Sequence, residues 1–418
     1  MASARLEQIG GHLAGVSSRE THIGVKNPND VVIVSCCRTP ICRAKKGHFK
    51  DTTHEYLLSV VLKEVVQRVG LDPALVQDII VGNVLPPGSG ANLARMAMLY
   101  ANFPCSTSVM TVNRQCSSGL QAVSLIASCI KDGAIDIGIG AGVESMTSFY
   151  KKYQLDPKDI NSKMLDSNSD IADCLMPMGQ VSENVAMEFG VSRTEQDEFS
   201  VESHKRADYA QRHGYFDKEI VPVTTTIKDT DGRETKITVT KDDGVRPSTT
   251  FEVLSKIKPA FKKEGTTTAG NSSQVSDGAA AVLLMKRSKA IELGLPILGK
   301  YVCSSVYGVP PRINGIGPIY AIPDAARKAG IPVSDISIIE LNEAFASQAV
   351  YCKKFLNLDS SVVNPSGGAI ALGHPLGATG ARQVSTLIYG LKRAGQRVGA
   401  ISMCIGTGMG MCSIFENE

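Results

Sequence analysis

Nowhere in the 418 residues does an uninterrupted apolar run approach the ~20 residues that a membrane-spanning helix needs, because charges or glycines break the best candidates. No membrane span is expected. A long basic tract is also missing and the formal net charge is only +3, so nothing marks a nucleic acid as the main ligand. The 11 cysteines include no Cys-x-x-Cys pair, and the 7 histidines do not sit at zinc-ligand spacings near them, which leaves no metal site to expect. Without an apolar secretory segment, the cysteines are expected as free thiols in a reducing compartment. Cys36, Cys129, Cys174, Cys303 and Cys352 lie within or beside apolar stretches and read as small buried hydrophobes.

What is present fits an ordinary compact enzyme. Hydrophobic residues make up 43% and charged residues 20%, which excludes a mainly disordered or fibrous chain, and the length exceeds what one hydrophobic core usually serves. Two or three domains are expected.

Two stretches read as versions of one unit: glycine-rich turn, helix, strand. The first opens with Asn113-Arg114-Gln115-Cys116-Ser117-Ser118-Gly119, carries Leu120, Val123, Ile126 and Ile130 at helical spacing, stops at Lys131-Asp132-Gly133 and continues into a strand from Ile135 to Ile139. The second runs from Asn364 to Gly410. Gly373-His374-Pro375 precedes a helix with Val384, Leu387, Ile388 and Leu391, and the strand Val398 to Met403 follows. This alternation predicts an α/β architecture with buried sheets. Between the two units, about 147–275 changes character: charged clusters, a polar stretch from Thr224 to Asp243 and a helix from Glu195 to Arg212 read as an inserted domain.

Cys116 precedes a helix, with Ser117 and Ser118 placed to cap it, so free backbone N–H groups and the helix dipole are expected to lower its thiol pKa. A cysteine at a helix start is more often structural than catalytic, and partners decide the matter. His374, on the matching turn, is placed to take a proton from Cys116; a histidine that merely satisfies its own loop is the plainer alternative. Cys404 lies in Met403-Cys404-Ile405-Gly406-Thr407-Gly408-Met409-Gly410, whose glycines permit close backbone approach to a ligand but equally fit a turn. Asn342, in Asn342-Glu343-Ala344-Phe345, suits either an oxyanion or water contact or a helix N-cap.

Together with Gly142-Val143-Glu144-Ser145-Met146, Thr268-Ala269-Gly270-Asn271-Ser272-Ser273 and Gly367 to Gly373, these motifs resemble the thiolase family over about 29–416. The resemblance implies a five-layered α-β-α-β-α core of two related halves, 29–146 with 276–296 and 297–418, with a loop domain at 147–275 inserted in the first. It implies a homodimer or a tetramer of dimers, cleavage of a 3-ketoacyl-CoA by a second CoA, and no metal or redox cofactor. By the same resemblance Cys116 is the nucleophile, His374 its activator and Cys404 the acid/base; Asn342 holds a water and Gly406 supplies an oxyanion N–H. Coenzyme A and acyl-CoA are then the substrates, with Arg246 at the adenine end and Ser273 and Met178 along the pantetheine arm. The family often has His-Met where this chain has Pro177-Met178.

Residues 1–28 are rich in Gly, Ser and charge and read as a leader. Arg5-Leu6, five residues, then His12-Leu13 resembles the N-terminal peroxisomal targeting nonapeptide, with Leu6, Ile9 and Leu13 on one helical face for an import receptor. Phe415-Glu416-Asn417-Glu418 carries no Ser-Lys-Leu signal, so the peroxisomal-matrix address is expected at the N-terminus. That signal and the Pro-Met variation favour the degradative peroxisomal form over a biosynthetic acetoacetyl-CoA form, which shares every catalytic residue. Ketoacyl synthases pair their cysteine with two histidines where this chain has His374 and Cys404. A non-catalytic CoA or lipid carrier on the same scaffold would be expected to have lost Cys116, His374 or Cys404.

Overall fold

A computed structural model describes residues 22–152 and 155–418. The targeting nonapeptide and most of the leader lie outside the described residues.

The first half begins with β1 (Val31–Arg38), buried at every position because helices cover both faces of its sheet. It continues through β2 (Cys42–Arg43), α1 (His54–Gln67), β3 (Asp78–Gly82), α2 (Ala91–Tyr100), β4 (Ser108–Val112), α3 (Ser118–Asp132) and β5 (Ile137–Ser145). The chain then leaves the sheet for α4 (Met178–Glu188), α5 (Arg193–Arg212) and the hairpin of β6 (Val223–Lys228) with β7 (Glu234–Val239), and returns as β8 (Ser276–Lys286). The polar Thr224–Asp243 stretch is thus largely an exposed hairpin, and α5 starts at a capping box of Ser192 and Glu195. The second half comprises β9 (Gly299–Gly308), α6 (Pro318–Ala329), β10 (Ile338–Leu341), α7 (Ala346–Phe355), α8 (Leu376–Ala394), β11 (Val398–Ile405) and β12 (Met409–Asn417).

Strand pairing reveals the duplication. In the first half β4, β3 and β5 are parallel neighbours, and β8 then β1 follow antiparallel. In the second, Val363 forms a parallel bridge to Ile339 of β10, β10 lies parallel to β11, and β12 then β9 follow antiparallel. The two sheets meet where β1 pairs with β9.

Three apolar cores separate five layers. The outer helices α1 and α2 pack one core on the first sheet, α6 and α7 pack another on the second, and the third fills the space between the sheets. That central core holds Leu120, Val123, Ile126 and Ile130 of α3 with Val384, Leu387, Ile388 and Leu391 of α8, the eight residues whose helical spacing the sequence displays. Each contributes about 1.5–3 kcal/mol through burial.

Glycines let α3 and α8 close together at their N-termini. A Cβ on Gly142 of β5 would stand 2.1 Å from the Gly377 carbonyl oxygen, one on Gly119 of α3 2.6 Å from the same atom, and one on Gly380 of α8 2.2 Å from Leu120 N. None of these fits a side chain, so the turns before the two helices are drawn to one seam.

Three expectations are corrected. The strand expected at 135–139 runs Ile137–Ser145, because alternating glycines hide a strand that packs flush against α3. Cys174 is exposed at the C-cap of a short helix, and Cys129 and Cys303 are half-buried, while Cys36 and Cys352 are buried as expected. Ser117 and Ser118 cap no helix N–H, since both hydroxyls are spent within the turn.

Candidate active site

The Cys116 turn is braced by short polar contacts. Ser117 Oγ donates to Arg114 O at 3.1 Å, Ser118 Oγ donates to Gln115 O at 2.7 Å and accepts from Arg114 N at 2.9 Å, and Asn113 Oδ1 accepts from Gln115 N at 2.9 Å. Gln115 is held at φ 47°, a left-handed conformation that costs a non-glycine residue about 1 kcal/mol and is sustained here by those bonds. The turn presents the Cys116 sulfur to its own N–H and to the N–H of Gly406.

Those donors do not win. Cys116 keeps part of its surface open, yet the packed atoms around the sulfur push its thiol up to about 11, and the nearby Glu144 carboxylate adds to the rise. The lowered pKa expected from the helix start is therefore overturned: desolvation outweighs the two N–H groups.

His374 follows Gly373, whose φ of 105° and lack of room beside Ser276 Oγ, 2.3 Å from an added Cβ, leave glycine alone able to make the bend. The ring does not satisfy its own loop. Nδ1 lies 2.7 Å from Thr379 Oγ1, and that hydroxyl donates onward to Pro375 O at 3.1 Å, so it accepts from Nδ1–H. This leaves Nε2 with a lone pair, facing Asn342 Nδ2 at 3.3 Å. Burial, and then the positive charge of Arg382, push His374 down to about 3. The imidazole is neutral, and Nε2, which carries no proton and accepts from the Asn342 amide, is the atom that can receive one.

Asn342 is buried and caps no helix: α7 begins at Ala346 with Phe345 at its N-cap. Among the described residues its Oδ1 has no hydrogen-bond partner, leaving an acceptor for water. Cys404 is buried on β11, its Sγ 3.9 Å from Gln348 Oε1. Burial raises its thiol well above the usual range, and a charge on Cys116 would raise it further, so the two sulfurs do not ionise together. Gly406 opens the β11–β12 turn; a Cβ there would lie 3.7 Å from both Met178 Sδ and Gln115 Cγ.

The structure thus brings Met178 to the seam, and Ser273 lies beside the Asn342 loop, its N–H on Ala344 O at 3.0 Å. Arg246 is exposed on the loop after β7; its N–H meets His204 Nδ1 at 3.2 Å, and none of its hydrogen bonds reaches the sulfurs or His374. A separate cavity of about 380 Å³ opens between α5 and α7 onto Glu343, without a thiol or imidazole in its wall.

Two residues given no role from sequence join the site. Thr379 fixes the imidazole tautomer, and its position five residues after His374, in the first turn of α8, was the available signal. Glu144, fully buried within the Gly142–Met146 motif, accepts from Val84 N at 3.1 Å, Leu85 N at 3.2 Å and Gly377 N at 3.0 Å, clasping the loop after β3 to the start of α8. Burial raises its carboxyl to about 8 against those three donors.

Residues 31–288 match the model of the thiolase N-terminal domain and residues 295–417 that of the thiolase C-terminal domain. The chain is 58% identical to a peroxisomal 3-ketoacyl-CoA thiolase of Homo sapiens, covering 93% of this chain and 91% of that protein. With peroxisomal 3-ketoacyl-CoA thiolase B of Rattus norvegicus it shares 56% identity over 99% of each. The dimeric peroxisomal thiolase of Saccharomyces cerevisiae superposes with a TM-score of 0.87 at 50% identity, covering 94% of this chain and 99% of that structure.

Proposed function

The chain belongs to the thiolase family, and we propose that it is an acyltransferase cleaving 3-ketoacyl-CoA with CoA to acyl-CoA and acetyl-CoA in peroxisomal β-oxidation. The observation that carries the mechanism is the pair on one seam: a Cys116 sulfur facing two backbone N–H groups, and a His374 held by Thr379 with its proton on Nδ1, so that Nε2 carries none and accepts from the Asn342 amide.

As the Cys116 sulfur attacks the 3-keto carbon, its proton passes to His374 Nε2. The C2–C3 bond then breaks, its electron pair forms the acetyl-CoA enolate, and the Cys404 thiol delivers a proton to C2. The acyl group remains on Cys116 as a thioester, close in energy to the one it replaces. A second CoA thiol gives its proton to the Cys404 thiolate and attacks that thioester, and Cys116 leaves with the proton returned from His374. Negative oxygens are met by His374 Nε2–H with a water on Asn342, and by the N–H groups of Cys116 and Gly406. Coenzyme A serves as substrate, with Met178 and Ser273 on the pantetheine arm and Arg246 toward the adenine; the segment 147–275 is the inserted unit that supplies these contacts.

The working form is a homodimer, supported by β4, an edge strand with Met110 exposed, and by Met96, Leu99 and Tyr100 exposed on α2. Met110→Lys is expected to shift the mass measured by light scattering toward the monomer. Residues 5–13 address the protein to the peroxisomal matrix through an import receptor; deleting 1–13 should disperse a punctate fluorescent fusion without lowering activity in vitro.

CoA-dependent loss of four-carbon and sixteen-carbon 3-ketoacyl-CoA tests the assignment, with Cys116→Ala as blank. Turnover of both is expected. Turnover of the short substrate alone would replace the degradative reading with an acetoacetyl-CoA thiolase, and turnover of neither by folded, reduced protein would overturn the enzyme.

A further inference from the structure

Away from the reacting seam, three side chains of metal-ligating type converge from two loops. Cys42 ends its side chain fully buried on β2, His48 lies on the turn that follows, and Asp243 comes from the loop after β7. One ligand atom of each lies within 4.8 Å of the other two. The sequence hid this group because Asp243 lies 201 residues beyond Cys42 and 195 beyond His48.

The frame around it is preformed. Asp243 Oδ1 accepts from Arg43 N at 2.7 Å and Oδ2 from His48 N at 3.0 Å, while Asp243 N donates to Ile41 O at 3.1 Å. Gly47 makes room: a Cβ there would sit 2.3 Å from Asp243 Oδ2. His48 Nδ1 stands 3.2 Å from the same oxygen, a separation suited to two ligands on one tetrahedral ion. The buried Cys42 thiol faces the same groups, within hydrogen-bonding reach of the His48 backbone N–H and the Asp243 carboxylate. The side chain of Asp243 is 6% exposed and that of His48 55%, which leaves one side of the cluster open to water.

We propose that Cys42, His48 and Asp243 bind one zinc-type divalent cation, with water in the fourth position on the His48 side. Sulfur with imidazole selects a borderline-soft ion over calcium or magnesium. The ion's two charges are balanced by the Cys42 thiolate and the Asp243 carboxylate. The thiol gives up its proton, and the imidazole moves its own from Nδ1 to Nε2, so binding releases about one proton per ion. Arg43, whose Nε lies 3.5 Å from Asp243 Oδ1, and the exposed Lys45 and Lys46 oppose the ion and limit its affinity. Bound, the ion would clip the segment 42–48 to the loop that carries Arg246.

The test uses the whole reduced protein, stripped with chelator and titrated with cobalt(II). Saturation at one ion per chain with a sulfur-to-cobalt charge-transfer band is expected, together with a rise in melting temperature on adding zinc. Cys42→Ser should lose the band, His48→Ala should weaken cobalt binding at least tenfold while leaving metal-free thiolysis unchanged, and Cys116→Ala should keep the band. Calorimetry in two buffers should register about one proton released. No saturable band in the unaltered protein, a band retained by Cys42→Ser, one abolished in Cys116→Ala, or unaltered cobalt affinity in His48→Ala would overturn the site.

Discussion

The turns carrying Cys116 and His374 occupy equivalent places in two halves of the same topology, each leading into a helix of the central layer, yet they are built in opposite ways. The Cys116 turn is open and strained, with Gln115 at φ 47° and backbone N–H groups aimed at a sulfur. The His374 turn is sealed, and side chains rather than backbone fix the ring: Thr379 on one nitrogen, Asn342 on the other. Duplication supplied one scaffold twice. The difference between its copies divides the labour proposed here, one turn presenting a nucleophile to backbone donors and the other holding a base in one tautomer.

That division predicts unequal sensitivities. Removing either principal has the largest effect: Cys116→Ser and His374→Asn should each lower thiolysis by roughly a thousandfold or more, measured by loss of 3-ketoacyl-CoA at saturating CoA. Next comes the seam itself. Gly142→Ala places a methyl 2.1 Å from Gly377 O, and a melting experiment should find a loss of about 1–3 kcal/mol as the two turns are forced apart. Thr379→Val preserves shape but removes the acceptor of Nδ1–H; kcat should fall roughly ten- to a hundredfold with KM little changed, because binding contacts are untouched.

The smallest effect is one of pH. With Cys116 at about 11, its iodoacetamide alkylation should rise steadily with pH through neutrality and not level off below about pH 10, where a preformed thiolate–imidazolium pair would give a plateau from acid pH upward. Stability should show the matching sign. His374 at about 3 and His204 at about 4 lie below the ordinary value of 6.5, so the unfolded chain binds those protons first and stability is lost as pH falls below 6.5. Glu144, at about 8 against an ordinary 4.5, acts oppositely and weakens the fold as pH rises through that interval.

Much of this was legible in the sequence where a local rule coincides with a global one. The apolar stripes of α3 and α8 are helical in spacing and face one core, and Gly133 and Gly395 end those helices in the left-handed conformation that favours glycine. β5 was harder, since its glycines serve close packing against α3 and blur the strand signal. Long-range chemistry was harder still. The Cys116 thiol depends on how much protein surrounds it, the partners of Glu144 come from 59 to 233 residues away, and the hydroxyls of Ser117 and Ser118 chose their own turn over the helix. None of these follows from composition or spacing.

The acyl-enzyme itself decides the central claim most directly. The protein would be incubated with a sixteen-carbon 3-ketoacyl-CoA without free CoA, quenched in acid, digested and examined by mass spectrometry, alongside Cys116→Ala and Cys404→Ala. The division of labour predicts a fourteen-carbon acyl group, the substrate less its two-carbon acetyl unit, on the peptide containing Cys116. It should be absent in Cys116→Ala, and its first appearance slowed in Cys404→Ala. The same acyl mass on the Cys404 peptide, or acyl-enzyme still formed by Cys116→Ala, would contradict it.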